Sequence, residues 1–129
     1  MKILLVDDDA FLRDMYASKF ISCGHEVEVA DGSSATIAKL QNGSSYDLLI
    51  LDMVMPGTTG VELLKIVKEK FTDQVKNCIF LSNQGQEEDV LEATEAGAVG
   101  YIVKAQSIPS EVVKRVEDII ARQSNQTQS

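Results

Sequence analysis

Basic residues are few: 12 lysines and arginines face 20 acids, for a formal charge of −8. Such a field repels phosphate backbones, so direct nucleic-acid binding is not expected. No apolar run approaches the length of a bilayer span, and Met1 to Val6 is too short for a signal sequence, which predicts a cytoplasmic protein that makes no membrane contact. Cysteine is scarce. Cys23 and Cys78 fit no metal-ligand spacing and read as buried, reduced thiols. The pattern Gly-x4-Gly-Lys-Ser/Thr does not occur, which removes the P-loop nucleotide enzymes. Internal repeats and low-complexity blocks are missing too. What remains is a chain of 129 residues, one domain able to bury its core without metal or disulfide staples.

Strand-like runs alternate with helical ones, five of each by our reading, which predicts βα units and a mainly parallel sheet. The first helix is expected over Ala10 to Cys23, with Leu12, Met15, Tyr16 and Phe20 on one face, Asp9 as its cap and Gly24 as its stop. Glu26 to Ala30 alternates like an edge strand. Asp31, Ser33 and Ser34 open a helix that ends at Asn42-Gly43. A third helix starts near Gly60 and turns Leu63, Leu64, Val67 and Phe71 inward, and a fourth covers Gln86 to Ala96, its early acids facing the positive end of the helix dipole. The fifth begins at Pro109 and buries Val112, Val113, Val116 and Ile120. Residues 123–129 are polar and aperiodic, and read as a disordered tail or the start of a truncated linker.

Chemistry concentrates at the strand ends. Lys2 to Val6 runs into Asp7-Asp8-Asp9, and Asp47 to Leu51 runs into Asp52, with Pro56-Gly57 close behind. In a parallel sheet these acids would meet at the carboxyl edge, where ligands of open α/β sheets bind. Two like charges 4 Å apart repel by about 4 kcal/mol at an effective dielectric near 20, so the cluster calls for a hard divalent cation, a basic residue, or both. Two later strand-like runs, Cys78 to Asn83 and Gly97 to Lys104, bring in Ser82 and Lys104.

An acidic pair, an Asp, a Ser and a Lys at successive strand ends, with Pro56-Gly57 after the central Asp, resemble the receiver domain of bacterial two-component response regulators over residues 1–122. The resemblance implies a flavodoxin-like (βα)5 fold, a doubly wound parallel sheet of order 2-1-3-4-5. It implies a phosphorylation-dependent switch, chemotaxis-regulator-like and not an enzyme in its own right. Asp52 would accept a phosphoryl group from a histidine kinase or phosphotransfer protein. Asp8 would ligate Mg²⁺, or Mn²⁺, directly, together with Asp52 and the backbone carbonyl of Val54, while Asp7 acts through water. Lys104 and Ser82 would hold phosphoryl oxygens; Lys104 would pair with Asp52 when no phosphate is present. Ser82 and Tyr101 would form the switch, and Val54 and Gln84 would flank the path of the hydrolytic water. The altered face, made by helix four, strand five and helix five, would control a downstream protein target, the chain being a monomer or a weak phosphorylation-dependent dimer.

Two departures stand out. The family usually has proline after its lysine; Ala105 stands here, and a cis bond before alanine costs about 2.5 to 4 kcal/mol, so a trans peptide and a differently built loop to Ile108 are expected. Asn83 replaces a small residue and narrows the approach to Asp52. Other readings compete. A haloacid-dehalogenase-type phosphatase needs a second Asp two positions after the nucleophile, where Val54 stands, and a flavin module needs a Gly-rich phosphate loop where Asp7-Asp8-Asp9 would repel the phosphate. A degenerate receiver acting only as a binding module is disfavoured by the complete set of phosphorylation residues.

Overall fold

The strands other than the alternating edge strand Glu26–Ala30 carry apolar residues on both faces, and the computed structural model, which describes residues 1–127, puts helices over each face. The chain order is β1 (Lys2–Val6), α1 (Ala10–Ser22), β2 (Glu26–Ala30), α2 (Ser33–Gln41), β3 (Tyr46–Leu51), α3 (Gly60–Lys70), β4 (Val75–Ser82), α4 (Glu87–Glu95), β5 (Gly100–Val103) and α5 (Pro109–Thr127). All strand pairs are parallel and the sheet order is β2-β1-β3-β4-β5, as the resemblance implied. In register, Val6 faces Leu51, Leu51 faces Phe80 and Ser82 faces Val103, so the residues following these strands leave the sheet along one edge.

Alternation along each strand divides the core into two layers. Leu4, Val6, Leu49, Leu51 and Phe80 pack with Leu40 of α2, Leu63, Leu64 and Val67 of α3, and Ala93 of α4. Ile3, Leu5, Leu48, Ile50, Leu81 and Ile102 pack with Tyr16 and Phe20 of α1 and Val112, Val113 and Val116 of α5. The layers are unequal in how they hold their helices: α4 contributes Ala93 alone to the fully buried set.

Helix starts follow local chemistry. Asp9 caps α1 through its carboxylate, which accepts from the Leu12 amide at 3.1 Å. Thr59 does the same for α3, accepting from the Glu62 amide at 3.1 Å. At α4 the Asp89 carboxylate reaches back to the Gln86 amide, 3.2 Å away. The start of α2 differs from expectation, because Gly32 takes the cap position without a side-chain bond and neither serine caps the helix.

Several boundaries need correction. β4 begins at Val75 rather than Cys78, because Val75 and Asn77 find partners in Tyr46 and Leu48 of β3. β5 begins at Gly100 rather than Gly97: Gly97 has φ +108°, and the Ala98 amide bonds the Ala93 carbonyl at 3.0 Å, so that stretch closes α4. Cys23 is not a buried thiol. It occupies the C-cap of α1, off the Phe20 stripe, and is exposed, whereas Cys78 is buried with its thiol pushed well above the usual range by desolvation. The α5 backbone continues through Thr127, into the stretch expected to be disordered; extending a formed helix adds a bond per residue without a new nucleus. Residues 128 and 129 of that expected tail lie outside the described residues. Among the described residues no helix is long and apolar enough to cross a membrane.

Candidate functional site

The carboxyl edge of β1, β3, β4 and β5 opens into a pocket of about 320 Å³ bordered by Asp7, Asp8, Asp52, Ser82 and Lys104, with Val54, Asn83 and Gln84 at its mouth. Four strand ends thus deliver the groups expected of them. Asp52 receives two side-chain donors: Ser82 Oγ donates to Oδ1 at 2.9 Å and Lys104 Nζ to Oδ2 at 3.0 Å. The Val54 amide also reaches Oδ1, at 3.3 Å. Behind Asp52, α3 begins so close that a Cβ on Gly60 would collide with the Asp52 carbonyl and lie 2.7 Å from Phe80 Cε1. Glycine at the start of α3 is what lets that helix press against the end of β3.

Lys104 does more than its expected pairing with Asp52. It donates to Asp7 Oδ2 at 2.7 Å as well, so a single ammonium spans two strand ends. Burial works to lower the lysine's pKa, but the hydrogen bonds it donates to Asp7 and Asp52 and the charges of those acids outweigh it and hold it above the ordinary lysine value. The ammonium therefore stays charged. Its chain leaves β5 through a single 3-10 turn over Lys104–Gln106, and no cis peptide occurs among the described residues, in keeping with Ala105 in place of proline.

Asp7 and Asp8 divide in environment. Asp7 is 3% exposed and fully engaged: its amide donates to the Ala30 carbonyl at 3.1 Å, its Oδ1 accepts from the Asp9 amide at 2.9 Å, and its Oδ2 holds Lys104. Asp8 is exposed, and its carboxylate has no hydrogen-bond partner among the described residues. Asp9, the fourth acid of the cluster, is spent on capping α1. A residue that the sequence reading passed over also enters here. Arg13 of α1 donates from Nη1 to the Asp7 carbonyl oxygen at 3.1 Å. Its signal lay in the spacing, because a side chain four residues beyond a helix cap stands over the loop that the cap closes.

The donor set fits a hard cation. Carboxylate oxygens of Asp7, Asp8 and Asp52 lie within 4.8 Å of one another, while Lys104 bonds two of these carboxylates and Arg13 meets, of this cluster, only the Asp7 carbonyl. A divalent ion with oxygen preference would offset the crowding of the acids. Asp8 has its oxygens free for direct ligation, while Asp7, already committed to Asp9 and Lys104, suits contact through water.

Tyr101 stacks on Phe80 with ring centroids 6.1 Å apart, and its hydroxyl donates to the Gln84 carbonyl at 2.6 Å. Burial raises its pKa, with the Ser82 contact opposing. The tyrosine therefore ties β5 to the loop after Ser82, whose Oγ in turn accepts from the Gln84 amide at 3.2 Å. Val54 is 58% exposed at the pocket mouth, and Gln84 is exposed too.

Comparison with known proteins agrees with this geometry. Residues 3–117 match the response regulator receiver domain family. The transcriptional regulatory protein ResD of Bacillus subtilis is 37% identical over 123 residues, covering 95% of this chain and 49% of ResD. The chemotaxis protein CheY of Halobacterium salinarum is 33% identical over 121 residues, covering 92% of this chain and 96% of that protein. The chain spans about half the length of ResD and of the PhoB regulators it also matches. Among solved structures, chemotaxis protein CheY4 of Vibrio cholerae superposes with a TM-score of 0.82 at 30% identity, covering 92% of this chain and 97% of that one. The receiver domain of the Francisella response regulator 1452 gives 0.80 at 28% identity over 95% and 98%. With the fold, the strand-end acids and these relatives all in agreement, the chain belongs to the response regulator receiver domain family.

Proposed function

We propose that the chain works as a phosphorylation switch in which Asp52 takes a phosphoryl group from a histidine kinase or phosphotransfer protein. The observation that carries this reading is the Asp52 carboxylate, open to the pocket and flanked by two donors from different strands, Ser82 and Lys104. In the transfer, a carboxylate oxygen of Asp52 attacks phosphorus in line as the bond from phosphorus to the donor's imidazole nitrogen breaks. The bonding pair returns to that nitrogen and Asp52 becomes an acyl phosphate. The Lys104 ammonium has a third proton beyond those given to Asp7 and Asp52, and this proton is the one offered to a phosphoryl oxygen. Ser82 Oγ turns from Asp52 to a second oxygen. Mg²⁺, held by Asp8, Asp52 and the Val54 carbonyl with Asp7 behind a water, would neutralise charge on the transferring group. Mn²⁺ suits the same oxygen donors.

Release of Ser82 from Asp52 frees the loop that carries Gln84, and with it the Tyr101 tether, so the change passes to the face of α4, β5 and α5, where a downstream protein target binds. The chain assists phosphotransfer to itself and slow hydrolysis of its own phosphate, and turns over no external substrate. Residues 1–122 make up this unit, which acts in the cytoplasm as a monomer or weak phosphorylation-dependent dimer.

Mass spectrometry after incubation with Mg²⁺ and acetyl phosphate tests the reading. One acid-labile phosphoryl group is expected on the wild type and none on Asp52→Asn. Equal labelling of the two would move the acceptor elsewhere.

A further inference from the structure

Among the described residues the carboxylate of Asp8, the proposed direct metal ligand, has no hydrogen-bond partner, so the backbone on either side is what fixes where its side chain starts from. On the C-terminal side, the Asp9 amide is fixed to Asp7 Oδ1 at 2.9 Å and the Asp9 carbonyl to the Arg13 amide at 2.9 Å. On the other side, the peptide joining Asp7 to Asp8 has one hydrogen bond among the described residues, at its carbonyl oxygen, which accepts from Arg13 Nη1 at 3.1 Å. The guanidinium holds that contact at a cost. Among the described residues its buried Nε has no hydrogen-bond partner and makes only a long ion pair, 3.9 Å, with the largely exposed carboxylate of Asp14.

We propose that Arg13 is a positioning residue for the cation site: by pinning the Asp7 carbonyl it fixes the peptide plane from which Asp8 projects, and so the direction of the metal-ligating carboxylate. The inference rests on Asp8 being a ligand, as in the function proposed above. It opposes plain electrostatics. A guanidinium beside a cation site repels the incoming ion, so if charge were its whole contribution, removing it would tighten binding. If it aims Asp8, removing it weakens binding in spite of the lost repulsion, as happens when outer partners of metal ligands are deleted.

The sign of the change is therefore the test. Mg²⁺ is titrated calorimetrically into wild type and Arg13→Met, which removes charge and hydrogen bond and keeps the apolar stem. Exchange of the Asp9 amide is followed by NMR in the metal-free proteins. Arg13→Met is expected to bind Mg²⁺ about tenfold more weakly and to exchange the Asp9 amide faster. Affinity that is equal or tighter overturns the inference, and so does weaker affinity with unchanged Asp9 protection. Arg13→Gln carries the same expectations should Arg13→Met not fold. Wild type that binds no Mg²⁺ overturns the metal-site reading and this inference with it, whereas wild type that binds, with variants that match it, overturns the inference alone.

Discussion

At the residue scale, neighbouring side chains of one kind have been given different tasks by their surroundings. Asp7 is buried and saturated with hydrogen bonds, Asp8 is wet and unpartnered, and Asp9 closes a helix. Position in the loop settles this division, and the identical letters of Asp7-Asp8-Asp9 carry little of it. On the function proposed above, access to the phosphate would likewise turn on single side chains. An in-line water needs a partner that can orient it, and valine at position 54 offers none, while the Gln84 amide can hold one without acting as a base. Hydrolysis of the acyl phosphate is thus expected to be slow. Val54→Asn should speed phosphate release from the purified protein several-fold, and by more than Gln84→Ala changes it; equal rates for all three would assign the lifetime to something else.

Among the elements, the tightest constraint lies between β3 and α3. Gly60 opens α3 against the carbonyl of Asp52, with its own amide bonded to the Met53 carbonyl at 3.0 Å. A methyl group there must displace either the helix or the backbone that follows β3, and backbone yields poorly. Gly60→Ala is expected to destabilise the fold by about 1 to 3 kcal/mol in urea unfolding and to lower the labelling rate of Asp52. An alanine variant as stable as wild type would show that α3 can withdraw freely. The sequence made the elements legible where period and caps agreed, as for β1, β2 and the starts of α3 and α5. It misplaced the N-terminal ends of β4 and β5, because strand length is set by what the neighbouring strand offers and a glycine such as Gly97 can end a helix as well as begin a strand. The candidate site was readable almost whole, since each of its groups follows an apolar run. The double grip of Lys104 and the clamp by Arg13 were not readable, for they depend on contacts between residues distant in the chain or set by helix phase.

On the scale of the whole molecule, stability should depend on pH through groups far from the pocket as well as within it. Tyr46, at the start of the central strand β3, is buried and donates its hydroxyl to Glu28 Oε1 at 2.8 Å; burial first, and then that acceptor, push its pKa from 10.0 up to about 12. Between those values an unfolded chain gives up a proton that the folded one keeps, so stability is intact below pH 10 and falls as pH rises towards 12. Lys104, raised above its ordinary value, adds to the same alkaline loss. Tyr46→Phe should cost about 1 kcal/mol at neutral pH, from the lost hydrogen bond, yet show a shallower decline above pH 10 in unfolding temperature. A decline of unchanged slope would remove the tyrosine from the balance. The unequal mooring of the helices has its own outcome for the molecule. With Ala93 as its one fully buried residue, α4 can loosen at small free-energy cost, uncovering the first apolar layer only where Ala93 packs and leaving the second untouched. On the proposed switch, phosphorylation would then act by enlarging a loosened population that a partner prefers, rather than by creating a new shape.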